Sequence, residues 1–279
     1  VSLRVYDFEL SLEGHLKTAF DLYTHMIEQR YPRKDDEMSP DHWKRLSKIT
    51  EAYYIDMLQH RINPVLNINP LLDDDLNKVD RYRMYGLNNF SIGLRGGTFD
   101  NNWPKTDEEI ERLLMLYRSY GESLKFNKMM ELSYIYTWDE GDIGNPQVQK
   151  VCSMIHRAHP ELKNMVCYMG IWEPAKDPGW GDDIDIWSFQ IDYFDEAKLN
   201  VLRKLNKEIW MYVSDPDDKG SPSLDIDADS IEYRILPWLC WKYDFKGLLY
   251  WSVNYWPYFD PFKNAMNTKW EQNGNGKLY

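Results

Sequence analysis

The chain has 279 residues, 43% of them hydrophobic and 28% charged, a globular composition that excludes a disordered chain and suffices to bury a substantial core. It carries 33 Lys and Arg against 45 Asp and Glu, a formal net charge of −12. With no basic cluster, nucleic acid and anionic membrane surfaces are poor partners, and no apolar run approaches the ~20 residues that span a bilayer.

Short β-rich runs alternate with amphipathic stretches. Residues 3–10 (LRVYDFEL) read as the first strand, followed by 64–68 (PVLNI) and 89–94 (NFSIGL), each rich in β-branched and aromatic types. Residues 106–127 open with Thr-Asp-Glu-Glu and continue with Ile110, Leu113, Leu114 and Tyr117 on one stripe, which predicts a capped amphipathic helix. Strands follow at 132–138 (LSYIYTW), 164–169 (NMVCYM) and 184–190 (IDIWSFQ). A helix at 195–205, a strand at 209–214 (IWMYVS), a helix at 229–243 and a strand at 247–254 (GLLYWSVN) complete the series. Strands alternating with helices in this number predict an α/β fold, a (β/α)8 TIM barrel forming one domain over 1–279. An open doubly wound sheet is the alternative. The first run is followed by SLEGH, which lacks the glycine-rich phosphate loop of that fold.

The loops after the strands are acidic and aromatic: GGTFDNNW, WDEGDIGN, WEPAKDPGWGDD, DPDDKGSPS and YWPYFDPF. In a barrel they share the C-terminal rim, where active sites form, so Trp103, Trp172, Trp180, Tyr255 and Trp256 are expected around one mouth. The 12 Trp and 20 Tyr are amphipathic rings suited to a sugar cleft, and equally to an aromatic-rich core with partnered N–H and O–H groups. Cys152, Cys167 and Cys240 have neither even number nor metal spacing, so no disulfide framework is expected. His156 and His159 are expected at a surface helix end rather than in a metal site. The chain opens on Val1 without Met or a signal peptide, which reads as a processed piece of a longer precursor. A signal peptide on that precursor would make the protein secreted, periplasmic or cell-surface.

The sharpest local signal is Asp139-Glu140 in YIYTWDEGD. Neighbours on a regular strand point to opposite faces, but at a strand end the backbone turns, and Gly141 would permit the turn. Two close carboxylates divide into one proton donor and one anion, the division that glycoside cleavage needs. An acidic loop or a helix N-terminus is the competing reading.

The segments YIYTWDEGD, DIDIWSFQ, EIWMYVSDPD and RILPWLCWKYDFKGLLYWSVNYW, in that order, resemble the catalytic domain of glycoside hydrolase family 123. The opening VYDFELSLEGHLKTAFDLY and the closing NGNGKLY look like that domain's two ends. The resemblance implies a β-N-acetylgalactosaminidase on a (β/α)8 barrel, working by substrate assistance without metal or cofactor. Its substrate would be a glycan ending in N-acetylhexosamine. By position, Asp139 would orient the 2-acetamido group and Glu140 would act as acid, then base. The chain departs from the family pattern in having Gly141 where proline is common, and in lacking the family's N-terminal β-sandwich.

The acetamide needs a donor and an apolar wall. Tyr212 is the candidate donor, and Trp187 or Trp251 the wall. Gln190 and Asn254, at strand ends, are candidates for sugar hydroxyls. The strand at 209–214 lacks the nucleophilic Glu of many barrel glycosidases. Asp215 is its nearest substitute, so a retaining double displacement with Glu140 as acid/base stands as one alternative. A glycan-binding barrel without catalysis is the other.

Overall fold

The computed structural model describes residues 3–34, 37–93, 106–140, 142–214, 221–224, 228–256 and 262–263. Among them are eight strands: β1 (Lys17–Phe20), β2 (Asn67–Ile68), β3 (Phe90–Ile92), β4 (Ser133–Asp139), β5 (Asn164–Tyr168), β6 (Ile186–Gln190), β7 (Glu208–Val213) and β8 (Gly247–Tyr250). All pair in parallel, in the order β1-β8-β7-β6-β5-β4-β3-β2. The sheet curls until its ends meet. Phe20 forms a parallel bridge to Pro64, its N–H donating to the Asn63 carbonyl at 2.9 Å and its carbonyl accepting from Val65 N–H at 2.9 Å. This is the expected (β/α)8 arrangement, closed by one bridge.

Seven α-helices lie among the described residues: α1 (Thr24–Arg30), α2 (Ser39–Gln59), α3 (Asp73–Arg83), α4 (Asp107–Phe126), α5 (Pro146–Ala158), α6 (Glu196–Lys204) and α7 (Ser230–Lys242). Their starts follow local chemistry. At α4 the Thr106 hydroxyl accepts from Glu109 N–H and the Glu109 carboxylate from Thr106 N–H, both at 3.2 Å, a reciprocal cap that satisfies two otherwise orphaned donors. Asn145 caps α5 ahead of Pro146, and Asp195 caps α6.

The first strand is not where the sequence places it. Residues 3–10 form no strand, and Leu3, Val5, Phe8 and Leu10 are exposed. Lys17–Phe20 takes the position instead, in register with Gly247–Tyr250. Strand propensity describes fit to a half-buried pleated surface, and residues 3–10 have no sheet neighbour.

Alternation along the strands separates two layers. Ala19, Tyr134, Tyr136, Met165, Cys167, Ile186, Trp210, Tyr212 and Leu249 fill the barrel, while Ile135, Val166, Phe189, Met211 and Tyr250 pack outward under the helices. The interior is crowded enough to require a glycine. A Cβ at Gly247 would lie 2.0 Å from the Trp210 ring, and these two residues are register partners on β7 and β8.

The N-terminal face of the barrel is closed by ion pairs and hydrogen bonds. Lys17 and Glu208 pair at 3.0 Å, and Glu208 also accepts from the Trp210 indole at 2.8 Å. His156, in the last turn of α5, lies between two carboxylates, 3.0 Å from Asp183 Oδ1 and 2.9 Å from Asp185 Oδ2. Asp185 Oδ2 accepts in addition from Asn164 N–H at 2.7 Å. With an acceptor at each ring nitrogen, only the imidazolium satisfies both. His159 is buried against Gly121 of α4. The pair therefore joins elements together and is not the surface helix end the sequence suggested.

This clamp makes stability depend on pH. Burial opposes the charge on His156, but hydrogen bonding and charge from Asp185, then Asp183, outweigh it and raise its pKa above the ordinary 6.5. The stabilisation is therefore complete below about 6.5 and is lost as pH rises through the higher folded-state value. Denaturant unfolding across that range is expected to show wild type losing stability with rising pH relative to His156→Ala. At acidic pH the substitution should cost about 2 kcal/mol, the worth of hydrogen bonds to charged groups. Parallel curves for the two proteins would remove the clamp.

Candidate active site

Asp139 and Glu140 sit at the C-terminal end of β4, both exposed at the barrel mouth. Two backbone features bring them to one side. Tyr136 pairs with Met165, but the next pairings are Trp138 with Val166 and Asp139 with Cys167. Thr137 is the extra residue of a β-bulge, a feature that re-aims side chains beside active sites. Without it Asp139 would face outward. With it Trp138 turns into the outer layer, and Asp139 shares the inward face of Cys167. Glu140 then adopts a left-handed backbone, φ 47°, which costs a non-glycine residue roughly 1–2 kcal/mol. Its N–H is held by the Cys167 carbonyl at 2.8 Å. The turn that Gly141 was expected to permit is made at Glu140. Gly141 itself lies outside the described residues.

Each carboxylate is held by a phenol from inside the barrel. The Tyr136 hydroxyl donates to Asp139 Oδ1 at 2.6 Å, and the Tyr212 hydroxyl on β7 donates to Glu140 Oε1 at 2.9 Å. Burial pushes the Tyr136 pKa up, with the Asp139 carboxylate adding to it. Burial likewise raises Tyr212, with the Glu140 carboxylate contributing. Both phenols therefore remain donors. Cys167 lies beneath the pair, its thiol pushed up by burial and by the Asp139 carboxylate. A thiol kept protonated is not a nucleophile.

The sequence-derived site is only partly brought together. Asp139, Glu140 and Tyr212 converge. Gln190 is Tyr212's register partner on β6, and its amide donates to Asp192 Oδ2 at 2.9 Å. Trp187 faces outward from β6. It stacks on Tyr168 with ring centroids 5.2 Å apart, and its indole donates to the Gly170 carbonyl, so it is not a wall of the mouth. Asn254 is buried. Its side chain accepts from Tyr23 N–H at 2.8 Å and donates to the Tyr23 carbonyl at 3.0 Å, a clamp between loops. Trp251 is half-buried beside Tyr255 and Tyr23, an aromatic group at the ends of β1 and β8.

The expected aromatic rim is mostly core. Trp172 and Trp180 are buried, their indoles donating to the carbonyls of Asp177 and Asn145. They complete the outer cluster with Trp187. Trp256 is buried with Met26. Trp103 and Asp215 lie outside the described residues. The sequence reading missed Tyr136 and Cys167. Tyr136 was legible as an inward strand residue near the acidic pair, but the bulge that aligns it with Asp139 was not.

The model of the catalytic domain of glycoside hydrolase 123 matches residues 95–277. The chain belongs to glycoside hydrolase family 123. The family 123 match contains β4 through β8 and the Asp139-Glu140 pair, while the resembling opening segment lies ahead of it. Among solved structures, a family 123 glycoside hydrolase from Clostridium perfringens, studied for glycolipid glycan hydrolysis, superposes with a TM-score of 0.54 at 13% identity. The alignment covers 85% of this chain and 49% of that one, so the chain spans about half the length of that enzyme. The catalytic domain of a mannanase from Streptomyces sp. SirexAA-E gives 0.49 at 11% identity over 92% and 87% of the two chains. At 13% identity the likeness to the Clostridium enzyme is one of fold. A comparison with curated proteins found no significant match.

Proposed function

We propose that this family 123 domain is an exo-acting, retaining β-N-acetylgalactosaminidase that works by substrate assistance. The observation that carries the reading is the adjacent acidic pair, turned to one mouth by the bulge and by the left-handed Glu140, each member held by its own buried phenol. The support is twofold: family membership, and two adjacent carboxylates at one mouth, the residue types from which a proton donor and an orienting anion can be drawn.

In this mechanism protonated Glu140 gives its proton to the glycosidic oxygen as the bond from that oxygen to C1 breaks. The acetamide oxygen of the same sugar forms the new bond to C1 from the opposite face, giving an oxazolinium ion. Asp139 lies against the acetamide N–H and offsets the positive charge. Water then attacks C1, Glu140 takes its proton, and the acetamide is released. Two inversions give net retention. Tyr212 bonds one oxygen of Glu140 and leaves the other to carry the proton. Tyr136 holds Asp139 as acceptor without supplying a charge of its own.

A panel of chromogenic β-glycosides with and without a 2-acetamido group tests this. Cleavage of the N-acetylgalactosaminide and of none of the plain glycosides is the expected result. Cleavage of both kinds would favour double displacement, and cleavage of neither a binding barrel.

A further inference from the structure

Helix α7 presents an apolar face that no other described element covers. Ile231, Ile235, Trp238 and Trp241 are all exposed, and their spacing puts them along one side of the helix. Trp238 and Trp241 keep 63% and 79% of their surface in contact with solvent. Their rings meet edge to face, 6.3 Å apart and 85° between planes. The mechanism uses none of these residues. Exposed apolar surface of this size marks a contact site.

We infer that this face joins two copies of the chain across a twofold axis that crosses α7 between Ile235 and Trp238. Three observations select a second copy over other occupants. The first is ring geometry. Perpendicular indoles form a wedge, not the flat platform on which a sugar stacks, and a net charge of −12 repels anionic lipid. The second is area. Two tryptophans bury roughly 150–250 Å² each. With the isoleucines and the stems of Arg234 and Lys242, each copy offers on the order of 600–800 Å², near the ~800 Å² per partner of a specific interface.

The third is charge. The helix is acidic at its start, with Asp229 as N-cap and Glu232 in the first turn, and basic at its end, with Lys242. Antiparallel pairing sets each Ile235 against the partner's Trp238, and each Ile231–Glu232 turn against the partner's Trp241–Lys242 turn. Glu232, whose Oε2 also accepts from Ser223 N–H at 2.9 Å, then meets the partner's Lys242. Parallel pairing would set lysine against lysine. A self-complementary patch of this kind is what a twofold interface requires.

Sedimentation equilibrium of the 279-residue chain over a wide dilution series tests the inference. The expected result is a monomer–dimer equilibrium whose dissociation constant rises at least tenfold in Trp238→Glu, with circular dichroism unchanged. Lys242→Glu should weaken the dimer, and Glu232→Lys combined with Lys242→Glu should restore it. A monomer at every concentration overturns the proposal, and so does a dimer indifferent to Trp238→Glu or a double variant that fails to recover. A tryptophan emission shift with phosphatidylcholine vesicles or oligosaccharide, without self-association, would assign the face to that ligand instead.

Discussion

Glu140→Gln is expected to lower turnover of substrates with poor leaving groups by ~10²–10⁴-fold, the usual worth of a positioned proton donor. That corresponds to roughly 3–5 kcal/mol of barrier. The substitution is nearly isosteric. The amide oxygen of Gln still accepts from the Tyr212 hydroxyl, which holds Glu140 Oε1 at 2.9 Å in the wild type, so the side chain keeps its place and loses only its proton. Substrates with an activated phenol as leaving group need little protonation and should keep most of their rate. Steady-state kinetics on the two substrate kinds separates these cases. An equal loss on both would exclude Glu140 as the acid.

Asp139→Asn should separate the acetamide mechanism from a protein nucleophile. A stable galacto-configured thiazoline copies the bicyclic intermediate and is expected to bind the wild type far more tightly than the parent sugar. In the proposed mechanism Asp139 opposes the positive charge on that ring. Its neutral replacement should weaken thiazoline binding on the order of 10²-fold, since opposite charges about 4 Å apart near a protein surface attract by a few kcal/mol. The Tyr136 hydroxyl, 2.6 Å from Asp139 Oδ1, can still donate to the Asn oxygen, so geometry is retained while charge is removed. Calorimetric titration of both proteins measures the difference. Fluorosugar inactivators should label nothing. An ester found on Asp215 by mass spectrometry would establish double displacement and overturn the acetamide route.

Local chemistry in the chain was sufficient to set most of the fold. The β-rich runs from residue 64 onward coincide with strands, and the Thr106–Glu109 cap opens α4 where its pattern says. These are near-neighbour effects: pleat alternation, orphaned helix donors and the fixed φ of proline need no knowledge of the rest of the chain. The acidic pair was visible too, because Asp-Glu at a strand end is a local motif. What the chain alone did not determine is which face each side chain takes and which runs find partners. Residues 3–10 have strand chemistry and no sheet edge beside them, whereas the less distinctive Lys17–Phe20 finds β8. Trp172 and Trp180 look like the rim of a sugar cleft in sequence and Trp187 like a wall for the acetamide, and packing places all three behind the sheet. The bulge at Thr137 exists only in the register between β4 and β5. It turns Asp139 inward toward Tyr136, while the left-handed Glu140 reaches Tyr212 from β7. Contacts between strands far apart in sequence carry that information, and only closing the barrel brings them together.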